Sequence, residues 1–506
     1  MAEKFKSQRK TGVLLSYAIL VMDSVLGIVY TPILLNSLGE NEYGLYQLIG
    51  SLINYFAVMD LGLGGTITRY FIKYNTENNA KERDNFFAMA LIVYSIICVI
   101  VLASCGVLGL FVHDIFGSLT LEEVNEARIL VMFLAFNLVI TLFDHAFSGV
   151  LNSFEQFAFD KGLRLSRVIL RAILVIVLLQ FYSNAVVIVV VDFVLTLSIL
   201  FAKIIVCTKR IGVKPKLYNW DTPLLKEVFI FTSAIFLQAI INQFNNNVDK
   251  TVLGIYKSTA VVAVYSIAMQ MYSAFSGIST AIQSVYLPKI SKSVFKGADN
   301  HAITLSLVQP SRYQLIILSC VCIAFWLFGF EFIYLWCGKT DAWIITCMIM
   351  TAGIVELFQN STTSVLKAKN KLKGRTFINF FTALCNFAIT LFLVPKYGMI
   401  GAASGTVFTL VIGYILCNNI YYHKCIGIEV GFYFKSVLKG FLVPIIVSIL
   451  IGLALNHFIT GYSWTHFCIK SILFSITYLL LLFAFTFNNV EKGIAVKILR
   501  KSHLCK

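Results

Sequence analysis

Apolar stretches of about 20 residues recur along the whole chain, separated by short linkers that alternate between basic and nearly charge-free. An α-helix rises about 1.5 Å per residue, so about 20 apolar residues cross a hydrocarbon core about 30 Å thick. The pattern predicts about fourteen spans, at 12–35, 43–67, 86–112, 128–151, 165–182, 185–207, 227–248, 259–287, 313–336, 343–366, 376–395, 398–421, 437–457 and 467–487. Soluble domains do not repeat apolar runs of this length. The fold class expected is an all-α integral membrane protein.

A net charge of +16 would suit a nucleic-acid partner, but its distribution argues otherwise. With both termini inside, 31 of the 41 Lys and Arg fall in inner linkers, 4 in outer linkers and 6 within spans. That asymmetry is the positive-inside bias. It makes anionic membrane lipids the expected companions of the basic loops and leaves no role for nucleic acid. The basic N-terminus runs straight into the first span without a small-residue cleavage site, so no removed signal peptide is expected. Cys98, Cys105, Cys320, Cys322, Cys347, Cys385 and Cys417 lie within spans and read as small apolar fillers. No Cys/His spacing of a metal site appears, and neither a metal nor a cofactor is expected.

Two segment pairs suggest an internal repeat. Tyr43–Leu52 resembles Val262–Met271, and Gly149–Phe157 resembles Ser364–Leu372, at a nearly constant offset along the chain. The organisation expected is a cytoplasmic N-terminus (1–11), a six-helix lobe (12–210), a cytoplasmic linker (211–226) and a second six-helix lobe (227–421). Two additional helices (437–487) and a cytoplasmic basic tail (488–506) follow. Parallel halves of this kind are a transporter arrangement, with the site between them.

A charge at bilayer depth costs about 2.5–3.5 kcal/mol on insertion scales, so each polar residue within a span needs a reason. In span seven, Gln238, Asn242, Asn245 and Asp249 are spaced to share one helical face, which suits a water-lined cavity. Isolated amides such as Asn137 read instead as hydrogen-bonding glue between helices. Arg167 and Arg171 lie in span five, Arg171 the deeper, and snorkelling to the inner headgroups is the bland reading for both. Arg69 closes span two at an inner helix end, where phosphate anchoring and ordinary positive-inside use are equal readings. Asp23, Asp144, His145 and Glu356 are candidates for ion coupling. An imidazole beside a carboxylate suits a proton relay, or simple mutual neutralisation. The glycines of LGLGGT (Leu61–Thr66) read as a close helix approach or a helix end. No GxSxG, P-loop or HExxH motif is present, so any active transport draws on an ion gradient, H+ or Na+, on the membrane potential, or on the substrate's own gradient.

The stretch LGENEYGLYQLIGSLINYFAVMDLGLGGTITRY (Leu38–Tyr70), the segment NNNVDKTVLG (Asn245–Gly254) and YGMIGAASGT (Tyr397–Thr406) resemble the polysaccharide transporters, or O-antigen flippases. These share a superfamily with the multidrug and toxin extrusion transporters and the lipid II flippase. The resemblance implies two six-helix lobes in a V, alternating access around a central cavity, and two extra C-terminal helices. It implies a substrate resembling an undecaprenyl-diphosphate-linked oligosaccharide, delivered to the outer leaflet of a bacterial plasma membrane for O-antigen, capsule or exopolysaccharide assembly. Polysaccharide polymerase and glycosyltransferases would be partners. Relatives line the cavity with cations for the diphosphate; here the candidates are Arg69, Arg171 and Lys367, while spans one and seven carry Asp23 and amides instead. A drug exporter of the same superfamily is the first alternative, disfavoured by the two added spans. A membrane-embedded polymerase or acyltransferase is the second, disfavoured by a short, acidic longest outer linker at 113–127.

Overall fold

The computed structural model describes residues 2–489 and 491–493, and no strand occurs among them. Most of the expected basic tail, 494–506, lies outside the described residues. The helices are α1 (Ala2–Leu38), α2 (Glu40–Phe56), α3 (Leu63–Thr76), α4 (Ala80–Ile115), α5 (Leu121–Ser153), α6 (Phe157–Leu179), α7 (Ala185–Ile205) and α8 (Thr222–Tyr256). They continue with α9 (Thr259–Phe295), α10 (Asn300–Cys337), α11 (Ala342–Phe358), α12 (Thr362–Ala368), α13 (Leu372–Phe408) and α14 (Asn418–Tyr421). The chain closes with α15 (Val430–Leu438), α16 (Leu442–Phe458) and α17 (Trp464–Phe485).

Each expected span falls on helical chain. Among the described residues, eight helical stretches are long and apolar enough to cross a bilayer, or ten if the bent pairs α11/α12 and α15/α16 each count as one. One of the eight, Leu372–Ile426, holds two expected spans, because α13 is really two helices meeting at Gly398 (φ 56°, ψ −130°). The others, α1, α6 and α8, fall outside that set. In α6 the reason is plain: Arg164, Arg167 and Arg171 all interrupt its apolar run.

The chain divides into two compact units. The first comprises Met1–Ser266 with Val394–Gly398, and the second Ile267–Leu393 with Met399–Lys506. The division therefore falls inside α9 and places all of α8 with the first unit, where α8 packs on α2. The linker before α8 is pinned to the start of α4: Asn85 accepts from the Tyr218 and Asn219 amides at 2.7 and 3.1 Å.

Backbone geometry repeats in the register the sequence suggests. After α3, Asn78 is left-handed (φ 54°) and the Asn79 amide reaches back to Tyr74 O; at the matching place after α9, Gly297 (φ 73°) and Ala298 do the same to Ser293 O. After α5, Glu155 (φ 57°) precedes Gln156, which donates to Leu151 O; after α12, Asn370 (φ 53°) precedes Lys371, which donates to Leu366 O. All four are Schellman closures, which satisfy helix-end carbonyls. A third pair follows the π-helical turns Val206–Arg210 and Tyr422–Ile426, where Gly212 and Gly427 turn left-handed in the same register.

Within the first unit, the second span is broken. A 3-10 turn, Ala57–Asp60, ends in Leu61 (φ 52°) and Gly62 (φ 67°), both left-handed, and α3 restarts the helix. The glycines beyond the break bring α3 against α5: a Cβ on Gly64 would meet His145 O, and one on Gly149 would meet Gly64 O. Thr68 Oγ1 donates to Gly149 O at 3.0 Å across this contact.

Within the second unit, two buried ion pairs tie the C-terminal helices to α10. Lys470 of α17 pairs with Glu331, assisted by Asn456 of α16 at 3.3 Å. At the opposite end of α10, Arg312 pairs with Glu491 at 2.7 Å and also donates to the carbonyls of Ser436, Val437, Lys439 and Thr486. Every nitrogen of that buried guanidinium is thus occupied.

Alanine is the better helix former by about 1 kcal/mol, so Gly→Ala in a helix with open space should be stabilising. Gly50→Ala, which meets nothing within 4 Å, is expected to hold or raise the melting temperature in detergent. Gly149→Ala should lower it through overpacking against Gly64 O, at a cost of about 1–3 kcal/mol. Equal behaviour of the two variants would contradict the close approach.

Candidate functional site

Polar chemistry in the first unit concentrates where α5, α6 and α7 converge around a cavity of about 340 Å³. Lys203, on the largely apolar α7, is buried and lines this cavity. It sits 2.8 Å from Asp144 of α5 and 2.9 Å from Asp160 of α6, and donates to Ser148 Oγ at 2.7 Å. Ser148 in turn donates to Asp160 at 3.0 Å. One ammonium thus bridges two carboxylates, the arrangement a low-dielectric interior demands of charge.

Asp144 and His145, adjacent in sequence, therefore have different partners. His145 Nδ1 lies 3.1 Å from Asp60 Oδ1, and the Tyr94 hydroxyl donates to the same oxygen at 3.0 Å. Asp60 ends the 3-10 turn of the broken second span, so this dyad sits at a backbone discontinuity. Further along α6, Arg171 makes a two-pronged pair with Asp192 of α7 at 2.6 and 3.1 Å, donates to Tyr46 at 3.3 Å, and stacks over Tyr30. Its charge is matched by the protein itself.

On α8, Gln238, Asn242, Asn246 and Lys250 form an i, i+4 row; Asn242 and Asn246 are exposed, Gln238 and Lys250 are half-buried, and Gln238 donates to Asn242 at 3.1 Å. Asn245, half-buried, borders the row. Asp249 instead turns into the unit, where the Tyr265 hydroxyl donates to it, and Asn247 is buried against Gln243. Lys250 is half-buried against α2, donating to Gln47 Oε1 at 3.3 Å; no carboxylate pairs with it among the described residues. Of the remaining candidates in this unit, Arg69 is exposed and lies over the Tyr70 ring, and Asp23 is exposed on α1.

The second unit carries the counterpart of the α5–α7 cluster with its charges exchanged. In the register of the repeat, Thr363 and Arg375 hydrogen-bond where Ser148 and Asp160 do in the first half. Gln359 and Asn419 exchange hydrogen bonds at 2.9 and 3.2 Å near the positions equivalent to Asp144 and Lys203. Glu356 lies 3.9 Å from Arg375, and Lys367 is exposed at the end of α12. A separate cavity of about 320 Å³ between α9, α10 and α17 is lined mainly by apolar side chains, including Met271, Phe275, Phe325, Phe332 and Phe467. No cluster of His, Cys, Asp and Glu suited to a metal occurs among the described residues.

A family model described as "Polysaccharide biosynthesis protein" matches residues 8–294. The chain belongs to this family. A Shigella flexneri protein named "Putative O-antigen transporter" is 23% identical over 411 residues, covering 78% of this chain and 92% of its own. A Klebsiella pneumoniae protein, "Uncharacterized membrane protein in cps region", is 22% identical over 281 residues, 52% of this chain and 55% of its own. Among solved structures, the lipid II flippase MurJ in an inward closed conformation superposes with a TM-score of 0.71 at 17% identity, covering 93% of this chain and 98% of its own. An inward-facing multidrug MATE transporter superposes with a TM-score of 0.56 at 14% identity, covering 79% of this chain and 96% of its own. The family member described here is thus an all-α membrane protein with the fold shared by those transporters.

Sequence reasoning overlooked Lys203, Asp160, Asn246 and Lys250 as members of these clusters. A lysine among the valines and isoleucines of span six was a readable signal, and Lys250 was hidden by its assignment to an outer linker. Removing one partner of a buried charge cluster costs about 3–5 kcal/mol. Lys203→Met should therefore lower stability in detergent by about that amount, with Asp144→Asn/Asp160→Asn in the same chain restoring much of it. A stability unchanged by Lys203→Met would show that the cluster is not buried in the folded protein.

Proposed function

We propose that this protein is a flippase that moves a polyprenyl-diphosphate-linked oligosaccharide from the inner to the outer leaflet of a bacterial plasma membrane by alternating access. The observation that carries this reading is the row Gln238–Asn242–Asn246–Lys250 on the 35-residue helix α8, in which Asn242 and Asn246 are exposed. Amides facing lipid would lack hydrogen-bond partners, at a cost of several kcal/mol, so the row belongs against water or a polar ligand. Sugars need such amides, and a diphosphate needs a cation such as Lys250 that no carboxylate has already neutralised. Family membership, the lipid II flippase fold and the O-antigen transporter relative in Shigella support the same class.

The apolar cavity of the second unit suits a lipid chain that never leaves hydrocarbon. No covalent step is required, only binding and release, with an H+ or Na+ gradient as the drive. Asp60 with His145, and Asp23, are the groups in the first unit best placed to take up a coupling ion; Asp144 is already committed to Lys203. The glycosyltransferases that build the lipid-linked sugar and the polymerase that consumes it are the expected functional partners. O-antigen, capsule or exopolysaccharide is the expected product.

Losing a hydrogen bond to a polar ligand costs about 1–3 kcal/mol, about ten- to a hundredfold in rate or affinity. Gln238→Leu/Asn242→Leu should therefore reduce surface polysaccharide at least about tenfold in a strain depending on this gene, with protein level in the membrane unchanged. Immunoblots of surface polysaccharide and membrane fractions provide the measurement. Undiminished polysaccharide would remove these residues from the transport path.

A further inference from the structure

We infer that the cavity between α5, α6 and α7 is a binding site for a lipid phosphate, separate from the α8 row. Four residues of α6, Asp160, Arg164, Arg167 and Arg171, are spaced i, i+4, i+7 and i+11 and so share one helical face. Helix α7 neutralises both ends of this stripe, Asp160 through Lys203 at 2.9 Å and Arg171 through Asp192 at 2.6 Å. The two central guanidiniums, Arg164 and Arg167, line the cavity and have no ion-pair partner among the described residues. With Lys161 and Lys203 they place four cations around the cavity against two carboxylates, Asp144 and Asp160, a net of +2 with His145 neutral.

That excess suits a ligand carrying about two negative charges, and two arginine forks on adjacent turns suit an anion with several acceptor oxygens. The volume of about 340 Å³ lies within the range of ligand pockets, about 300–1,000 Å³. Its lining includes Asp160 and Lys161 in the first turns of α6 and Asn152 in the last turn of α5, so the cavity lies by helix ends. Snorkelling for topology alone does not account for the stripe, because the internal repeat provides a control. In the register that pairs Gly149 with Ser364, the positions of Arg164, Arg167 and Arg171 are taken by Asn379, Thr382 and Asn386. The same helix of the second half therefore folds and inserts without these cations. The two sources of such a phosphate are the diphosphate of a lipid-linked sugar and the headgroup of a resident anionic phospholipid.

The test measures equilibrium binding to the purified full-length chain, so it does not depend on transport or on the flippase reading. Native mass spectrometry and titration would use farnesyl diphosphate and phosphatidylglycerol as separate probes. Wild type should bind at least one of them. Arg164→Gln/Arg167→Gln should weaken that binding at least about tenfold, while the exposed control Lys209→Gln/Arg210→Gln leaves it unchanged. Lysine at both positions 164 and 167 keeps the charge without the paired donors and should bind between wild type and the glutamine variant. Preference for farnesyl diphosphate identifies the substrate's diphosphate as the ligand; preference for phosphatidylglycerol identifies a resident lipid. Binding of neither probe by wild type, equal binding by the glutamine variant, or an equal loss in the surface control would overturn the site.

Discussion

Charge inside hydrocarbon must be matched, and that constraint organises each unit of this protein. An ionised side chain costs several kcal/mol at bilayer depth unless a partner or water accompanies it. Lys203 answers two aspartates, Asp192 answers Arg171, Glu331 answers Lys470, and Glu491 answers Arg312. Each of these pairs joins different helices, except that Glu491 follows α17. They fix which helix lies beside which in a setting where apolar packing discriminates weakly, since lipid tails are as apolar as leucine.

The same constraint separates structure from function. A buried cation whose carboxylate is already in place has little left to offer a ligand, whereas Lys250, Arg164 and Arg167 have none among the described residues. Charges that the fold does not consume are the ones available for an anionic cargo. The polar side chains of α8 obey a parallel rule: Asn247 and Asp249 are satisfied within the unit, and Asn242 and Asn246 remain accessible. The internal repeat sharpens the distinction, because equivalent helix ends share their turn geometry while the polar clusters between them differ in sign and kind.

The helices were legible in the sequence because a bilayer imposes one length on every span. The repeat was legible for a related reason: GVLNSFEQF marks a helix end whose left-handed closure, at Glu155, recurs at Asn370 in the second half. Partners were not legible. Asp144 finds Lys203 across 59 residues and His145 finds Asp60 across 85, and no local periodicity encodes such pairings. Arg312, a loop residue by the apolar pattern, is instead buried, because Asp299 caps α10 through the Ala302 amide and the helix begins well before the apolar run. Helical spacing puts Gln238, Asn242, Asn245 and Asp249 on one face of span seven. The exposed amides lean the other way round the helix, at Asn242 and Asn246, while the Tyr265 hydroxyl holds Asp249 inward.

The central claim is that unneutralised polar groups on membrane-length helices carry a charged sugar lipid's headgroup across the bilayer. Reconstitution of the purified chain in liposomes with a fluorescent diphosphate-linked glycolipid tests it directly, by following how much of the headgroup becomes accessible to an added lectin on the opposite face. Accessibility that rises with time in protein-containing liposomes, and stays at the empty-liposome level with Gln238→Leu/Asn242→Leu, is the predicted result. Accessibility no faster than in protein-free liposomes, with an ion gradient of either H+ or Na+ imposed, would contradict it.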